Sequence, residues 1–588
     1  MSAYTPPLDD IKFCIRHLAN IEDTLTLEAF EGIDVDDLEQ VLDEAGKFAA
    51  DVVAPTNVPG DEQGCSVDGN TVRVPAEFGD VHAQFVENGW QSVAGNPEYD
   101  GMGLPKTVAF AVSEMCQTAN LSYSLMPMLT RDAAAALEEH GNEGLKAKYL
   151  SKLVTGEWAG TMILTEPQAG TDLGAIKTRA IPDGDHYRIE GNKIFITWGD
   201  HELSENIIHF VLARIDGAPP GIRGISLFLV PKFLVSDDGE IGERNDVYCP
   251  SIEHKLGIHG SPTCVLNFGD NGGAVGYLVG KEGKGVNAMF TMMNNARMEV
   301  GLQGLAVSER SLQLASAYAL DRIQGRPTGH DGPGPIIHHA DVRRMLMLMR
   351  AQIEGMRALV YAAAGYDDLA HSGNEDTRAT GGRRLFLLTP VVKTWCTEIS
   401  LEVTSLGIQV HGGMGFVEET GAAQHYRDAR VLPIYEGTSG VQAADFTGRK
   451  VLGDGGQELK AQIEELRSFA AGIRDDDALA GIGSAVEEGL DLLEQGADWL
   501  LANAADDPQV PGVAGFNFVM LAGCVLSGAL LAKAAAAAHA AGGTYGAEKL
   551  ATTAFYCAHV LPRAHAYVRS MTADAGITMA IPAEAFGA

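Results

Sequence analysis

The rhythm of apolar and polar positions changes along the chain and divides it into four stretches. Up to about residue 158 the apolar positions recur at helical spacing. Asp36-Asp37-Leu38-Glu39-Gln40-Val41-Leu42 opens one such helix with acids in its first turn, where the helix dipole favours them. Asn88-Gly89-Trp90 and Asn96-Pro97-Glu98-Tyr99-Asp100-Gly101-Met102-Gly103 interrupt the pattern with turn chemistry, and alanine-rich helices follow over residues 132–137 and 144–154. From 160 to about 270 the rhythm shortens. TMILTEP, HYRIEGNKIFITW, IIHFVLARI, GISLFLVPK and CVLNF are short β-branched runs separated by Gly, Pro and Asp, which predicts a β-domain of sandwich or barrel type.

Helical spacing returns near 283 and lasts to about 450, with long helices over 300–320, 338–365 and 385–406. Gly453-Asp454-Gly455-Gly456 reads as a linker. Beyond it Ile463, Leu466 and Ile473 share one side of a first helix in a separate helical appendage. The predicted class is therefore mainly α with a central β-domain. The expected domains are an N-terminal helical domain over 1–158, the β-domain over 159–272, a helical bundle over 273–452 and added helices over 453–588.

Composition narrows the partners. Among 588 residues, 46% are hydrophobic and 21% charged, which suits an ordinary globular chain with a large core. Lys and Arg number 43 against 78 Asp and Glu, a net charge of −35 that repels phosphate backbones and anionic bilayers. No nucleic-acid partner and no stable membrane insertion are expected. The longest apolar run, 518–532, falls short of the roughly 20 residues a span needs and reads as a buried helix. Eight cysteines are scattered with no Cys-x-x-Cys, which argues against a metal site or disulfide framework and for a reducing compartment. MSAYTPPLDDIKFC is acidic and lacks a basic, then apolar, leader, so a cytoplasmic location is expected.

Familiar catalytic signatures are missing: there is no G-x-G-x-x-G after a strand, no H-E-x-x-H and no G-x-S-x-G. His338 and His339, with Asp341 nearby, diverge as neighbours on a helix and read as a solvated helix start, not as metal ligands. Four polar segments remain, the first a strand leading into a turn and the second on another strand. Thr165-Glu166-Pro167-Gln168-Ala169-Gly170-Thr171-Asp172 offers N–H groups and hydroxyls suited to a pyrophosphate. Phe195-Ile196-Thr197-Trp198-Gly199 offers a hydroxyl beside aromatic surface, and Gln409-Val410-His411-Gly412-Gly413-Met414-Gly415 ends a helix in a flexible turn. In Ile434-Tyr435-Glu436-Gly437-Thr438 a carboxylate lies between an apolar-aromatic pair and a small-residue turn. Such a setting desolvates a glutamate and raises its pKa toward general-base range. Taken singly, each of these is a loop.

Taken in order, the segments resemble the acyl-CoA dehydrogenase family. The resemblance runs from GW…PEYDGMGLP through KYLSKLVTGEWAGTMILTEPQAGTDL, KIFITWG and LVGKEGKGVNAMFTMMNNAR to QVHGGMGF and RDARVLPIYEGTSGVQ, over residues 85–450. EHKLGIHGSPTCVLNF and the added C-terminal helices are similar to a long bacterial subgroup. The resemblance implies an N-terminal helical domain, a β-barrel or sandwich, a four-helix bundle and a C-terminal helical appendage. It further implies FAD as cofactor, a short acyl-CoA thioester as substrate, electron-transferring flavoprotein as acceptor and a homodimer. Thr165, Phe195 and Thr197 match flavin-ring positions, with Phe195 where many members carry Trp. Gly170 and Thr171 match the pair near the pyrophosphate. Arg322, Gln409 and Gly413 match contacts to a neighbouring subunit's FAD, although the usual phenylalanine after the arginine is missing here. Glu436 matches the catalytic base, with Thr438 and Gln442 as flanking FAD contacts. Arg297, Tyr435 and Gly437 match positions that order the active site. The family's other base position is Ala296 here, which cannot accept a proton. A medium- or long-chain fatty acyl-CoA is the alternative substrate, and a flavin oxidase or desulfinase the alternative chemistry.

Overall fold

The β-branched runs of the middle segment pair into an eight-stranded sheet in a computed structural model that describes residues 3–587. Contacts divide the chain into two compact units. One is Val41–Glu299; the other joins the residues up to Gln40 to those from Val300 onward.

In the first unit the sheet runs in the order Val247–Ile252, Thr263–Phe268, His186–Thr197, Ala274–Val279, Ile225–Pro231, Asn206–Ile215, Trp158–Ile163. Arg179–Asp183 pairs with both His186–Thr197 and Asn206–Ile215, and so closes five strands into a barrel. Closure hides edges that would otherwise invite pairing with another chain. The choice left open by the sequence between sandwich and barrel thus falls to the barrel. Its filling is Ile189, Val211, Phe228, Val230 and Leu266, all nearly inaccessible. Trp158–Ile163 lies parallel to Asn206–Ile215 and is buried along its whole length, which explains its largely apolar composition. The helices Phe78–Glu87, Lys106–Ala119, Leu121–His140 and Glu143–Thr155 complete this unit.

In the second unit the predicted helices are present but longer. Residues 338–365 become part of Ala340–Ser372, and 385–406 part of Glu375–His411. The added turns are polar, so apolar periodicity could not report them. Asn374 starts one by accepting from the N–H groups of Asp376 and Thr377. The residues after 453 do not form a compact unit of their own. Val510–Ala541 is a 32-residue apolar helix, long enough to span a bilayer, yet 94% of its most apolar stretch is buried. It lies against Ala340–Ser372, Glu375–His411 and Ser439–Ala444, and shares their core. Gly523 permits the closest approach, because a Cβ there would fall 2.5 Å from that of Trp395.

The first helix, Leu8–His17, also belongs here and not with the rest of the predicted N-terminal domain. Asp10 receives Arg357 at 2.7 Å, Tyr545 at 2.7 Å and Lys549, and Glu309 and Glu354 complete the charge balance around those two buried cations. Burial would raise the Asp10 carboxyl, but the two cations hold it well below the usual range. All eight cysteines are free thiols, and no cluster of metal-ligating side chains occurs among the described residues.

Candidate active site

The first constellation is built where Trp158–Ile163 ends and His186–Thr197 passes it. Ile194 N–H donates to the Thr165 carbonyl at 3.0 Å, which brings Thr165 beside the strand carrying Phe195 and Thr197. That strand holds one residue more than its partner between the pairs Leu266–Lys193 and Cys264–Ile196, a β-bulge. Phe195 occupies the bulge with φ 59° and turns its ring outward, 59% exposed. Trp198 follows with φ 52°, fully buried, its indole N–H donating to the Ser122 carbonyl at 3.1 Å. Strained backbone of this kind collects at functional sites. Neither Thr165 Oγ1 nor Thr197 Oγ1 has a hydrogen-bond partner among the described residues. The turn beyond, with Gly170 and Thr171, is exposed, and a Cβ at Gly170 would meet nothing within 4 Å.

Glu166, between those features, is only 3% exposed and pairs with Lys193, which is fully buried, at 2.9 Å. Burial would raise the carboxyl, yet the Lys193 charge and hydrogen bonds from Thr178 and the Lys177 N–H outweigh it and hold it at about 2. Burial presses the ammonium down to about 8 despite Glu166, so the pair is ionised at neutral pH. The sequence reading gave neither residue a role. A signal was present, since Lys193 continues the inward phase of Ile189 and Gly191 along a strand and demands a buried counter-charge.

In the same unit, Arg297 is 3% exposed, bonds Asn294 at 3.3 Å and lies over the Phe290 ring. Its neighbour Ala296 is buried.

The second constellation surrounds Glu436. This residue has φ 55°, and Gly437 follows with φ 93°, so the chain reverses across two left-handed positions. Gly437 has a second reason to lack a side chain: its Cβ would come within 2.7 Å of Gln442 Nε2. That amide donates to the Glu436 carbonyl at 3.1 Å and pins the reversal. Thr438 caps the next helix by accepting from the Val441 N–H.

The turn is tied to its surroundings on three more sides. Lys393 Nζ donates to the Leu432 carbonyl at 2.8 Å, Ser439 Oγ donates to Glu398 at 2.5 Å, and Tyr435 OH donates to Gln303. Burial, with the charges of Glu436 and Asp428, pushes the Tyr435 phenol well above its ordinary value, so it stays neutral. Gln442 is wholly buried with its Oε1 unpartnered among the described residues. Gln303, Lys393 and Glu398 were missed from sequence, since each lies inside a long helix and belongs to no motif.

Arg322, Gln409 and Gly413 come together at two helix ends. Tyr318, one turn before Arg322, packs against His411 in a tilted arrangement with ring centroids 4.5 Å apart. Arg322 is exposed and donates to Gln324 Oε1 at 3.4 Å, and Gln409 and Gly413 are exposed. Around them Leu320, Ile323, Met414 and Phe416 are exposed apolar side chains, Phe416 at 88%.

Sequence comparison gives four matches in chain order. The acyl-CoA dehydrogenase N-terminal domain matches residues 35–157, the middle domain 161–271 and the C-terminal domain 283–450, and an acetyl-CoA dehydrogenase C-terminal-like domain matches 462–582. A 3-methylmercaptopropionyl-CoA dehydrogenase of Ruegeria pomeroyi is 47% identical over 91% of this chain and 92% of its own. A butyryl-CoA dehydrogenase of Syntrophomonas wolfei is 32% identical over 99% of both chains. Among solved structures, an acyl-CoA dehydrogenase of Bacillus anthracis complexed with FAD superposes with a TM-score of 0.76, covering 94% of this chain and 91% of its own at 20% identity.

Proposed function

The chain belongs to the acyl-CoA dehydrogenase family, and on that footing we propose that it oxidises 3-methylthiopropanoyl-CoA to the 2-enoyl-CoA. The reaction class, α,β-dehydrogenation of an acyl-CoA with FAD as cofactor, follows from the family. The observation that carries the assignment of the base is the Glu436 turn: a half-buried carboxylate held in left-handed backbone by four anchoring hydrogen bonds. Ala296 offers no competing carboxylate.

The groups left open fit FAD. Two hydroxyls without partners, an exposed aromatic ring in a bulge and an open glycine turn are what a flat ring with a polar edge and a pyrophosphate tail would engage. Thr165, Phe195 and Thr197 would hold the ring and Gly170 and Thr171 the pyrophosphate, while Thr438 and Gln442 are assigned to FAD by the family resemblance alone. When bound, FAD supplies the acceptor for the hydride leaving the substrate β-carbon.

The protein's own part is proton chemistry. A thioester α-proton is weakly acidic, so Glu436 needs help in removing it. A hydrogen bond from the Glu436 N–H to the thioester carbonyl would stabilise the developing enolate. The rigid turn fixes carboxylate and N–H relative to each other, which favours a near-attack arrangement. Tyr435 stays neutral beside the base and adds no competing charge.

A short linear acyl group is supported by the two full-length relatives, named for 3-methylmercaptopropionyl-CoA and butyryl-CoA, whose acyl chains are of similar length. Electron-transferring flavoprotein is the proposed acceptor and the cytoplasm the proposed location. The proposed homodimer is supported by exposed Leu320, Ile323, Met414 and Phe416 flanking Arg322, Gln409 and Gly413, the residues assigned to a second subunit's FAD. An anaerobic titration with acyl-CoAs of graded length, following loss of the flavin's visible absorbance, tests the substrate. Fastest bleaching by 3-methylthiopropanoyl-CoA is expected. Fastest bleaching by medium or long chains would contradict it.

A further inference from the structure

The buried Glu166–Lys193 pair lies next to Thr165 in the chain and directly before the Phe195 bulge. Buried ion pairs are poor stabilisers, since desolvation offsets their attraction and apolar residues of similar volume often serve as well. A net gain in stability over an apolar pair therefore does not explain why two charges are kept in the filling of this unit. Their geometry does.

Lys193 Nζ donates to the Leu164 carbonyl at 2.9 Å and to Glu166 Oε1 at 2.9 Å, so one ammonium straddles Thr165 from both sides. The carbonyl of Thr165 itself accepts from the N–H of Ile194, the residue after Lys193. Three consecutive residues of one segment are thus stitched to two consecutive residues of the other. Glu166 carries the constraint further along. Its second oxygen accepts from the Lys177 N–H at 2.7 Å and from Gln168 Nε2 at 2.6 Å, while its backbone bridges Ala169 in both directions, which shapes the turn leading to Gly170 and Thr171. Side chains without internal partners, such as Thr165 and Thr197, need this kind of support to hold a ligand in one pose.

Resting on the FAD reading above, we propose that Glu166 and Lys193 are positioning residues for the flavin: their bond fixes Thr165, and the bulge carrying Phe195 and Thr197, in the arrangement that binds the ring. They touch no reacting atom. Their removal loosens the cofactor and changes its surroundings while the fold persists.

The test compares wild type with Lys193→Met and with Glu166→Gln/Lys193→Met. The single variant leaves a lone buried carboxylate and loses both thermal stability and FAD affinity. The double variant removes that lone charge. It is expected to regain most of the apoprotein's Tm while its FAD Kd stays raised by roughly tenfold or more. Its bound flavin is expected to show a changed visible circular-dichroism spectrum, and its kcat to fall more than its KM for acyl-CoA rises. A double variant that binds FAD with wild-type affinity and spectrum would overturn the proposal, and so would one that cannot fold, since the pair would then serve the fold itself. Wild-type protein that binds no FAD would overturn the underlying functional reading instead, and is read from the first titration.

Discussion

Glu436 adopts a conformation that non-glycine residues avoid, and the same is true of Phe195 and Trp198. Three strained positions inside two of the short motifs are a stronger pointer to function than the motifs' composition. Composition at Glu436 could only show a carboxylate near a glycine. The backbone reversal and its anchors at Lys393, Glu398 and Gln303 come from residues far away in the chain, which no local reading reaches.

Glu166 is a second carboxylate whose environment can be read out. Its ordinary value of 4.5 is lowered to about 2 in the fold. A carboxylate lowered in this way contributes stability that is complete above 4.5 and is lost as pH falls toward 2. The full shift is worth about 3 kcal/mol. Thermal unfolding of wild type and Glu166→Gln across that acid range should show the wild-type advantage shrinking as pH drops. A gap that stays constant would mean the carboxylate is not held down.

At the scale of elements, the periodic rhythm located the strands and the helix interiors correctly and the helix ends poorly. Ends such as Asn374 are set by caps and polar turns, which carry no apolar signal. The barrel closure rests on the short strand Arg179–Asp183, whose RAIPD sequence has no clear alternation. Contacts between distant helices were likewise invisible. Gly523 looks like one small residue in an alanine-rich helix, but it is where Trp395 lies closest. Gly523→Val would force these helices apart and should lower stability by about 1–3 kcal/mol, measured as a fall in urea midpoint. An unchanged midpoint would show that the two helices can separate freely there.

For the whole molecule, the family segments were legible because chemistry at a site survives as short ordered motifs. How the later stretches pack was not. Gly453-Asp454-Gly455-Gly456 has the composition of a linker, yet the helices beyond it fill the same core as the bundle, and Asp10 near the start is bound by Lys549 near the end. A chain ending at residue 456 would expose the faces of Ala340–Ser372 and Glu375–His411 that Val510–Ala541 covers. Such a chain is expected to be insoluble or to lack a cooperative unfolding transition by calorimetry. A soluble, cooperatively folded product with normal turnover would show instead that the last helices are dispensable.

The central claim is that Glu436 is the base that removes the substrate α-proton. Its most direct test is the anaerobic mixing of 3-methylthiopropanoyl-CoA with wild type and Glu436→Gln, both loaded with FAD, while flavin absorbance is followed. Glutamine keeps the size and the backbone donor and removes only the proton acceptor. The account predicts that the variant retains FAD and binds the thioester but bleaches slower by a factor on the order of 10³ or more. Bleaching at the wild-type rate would contradict it and place the base elsewhere.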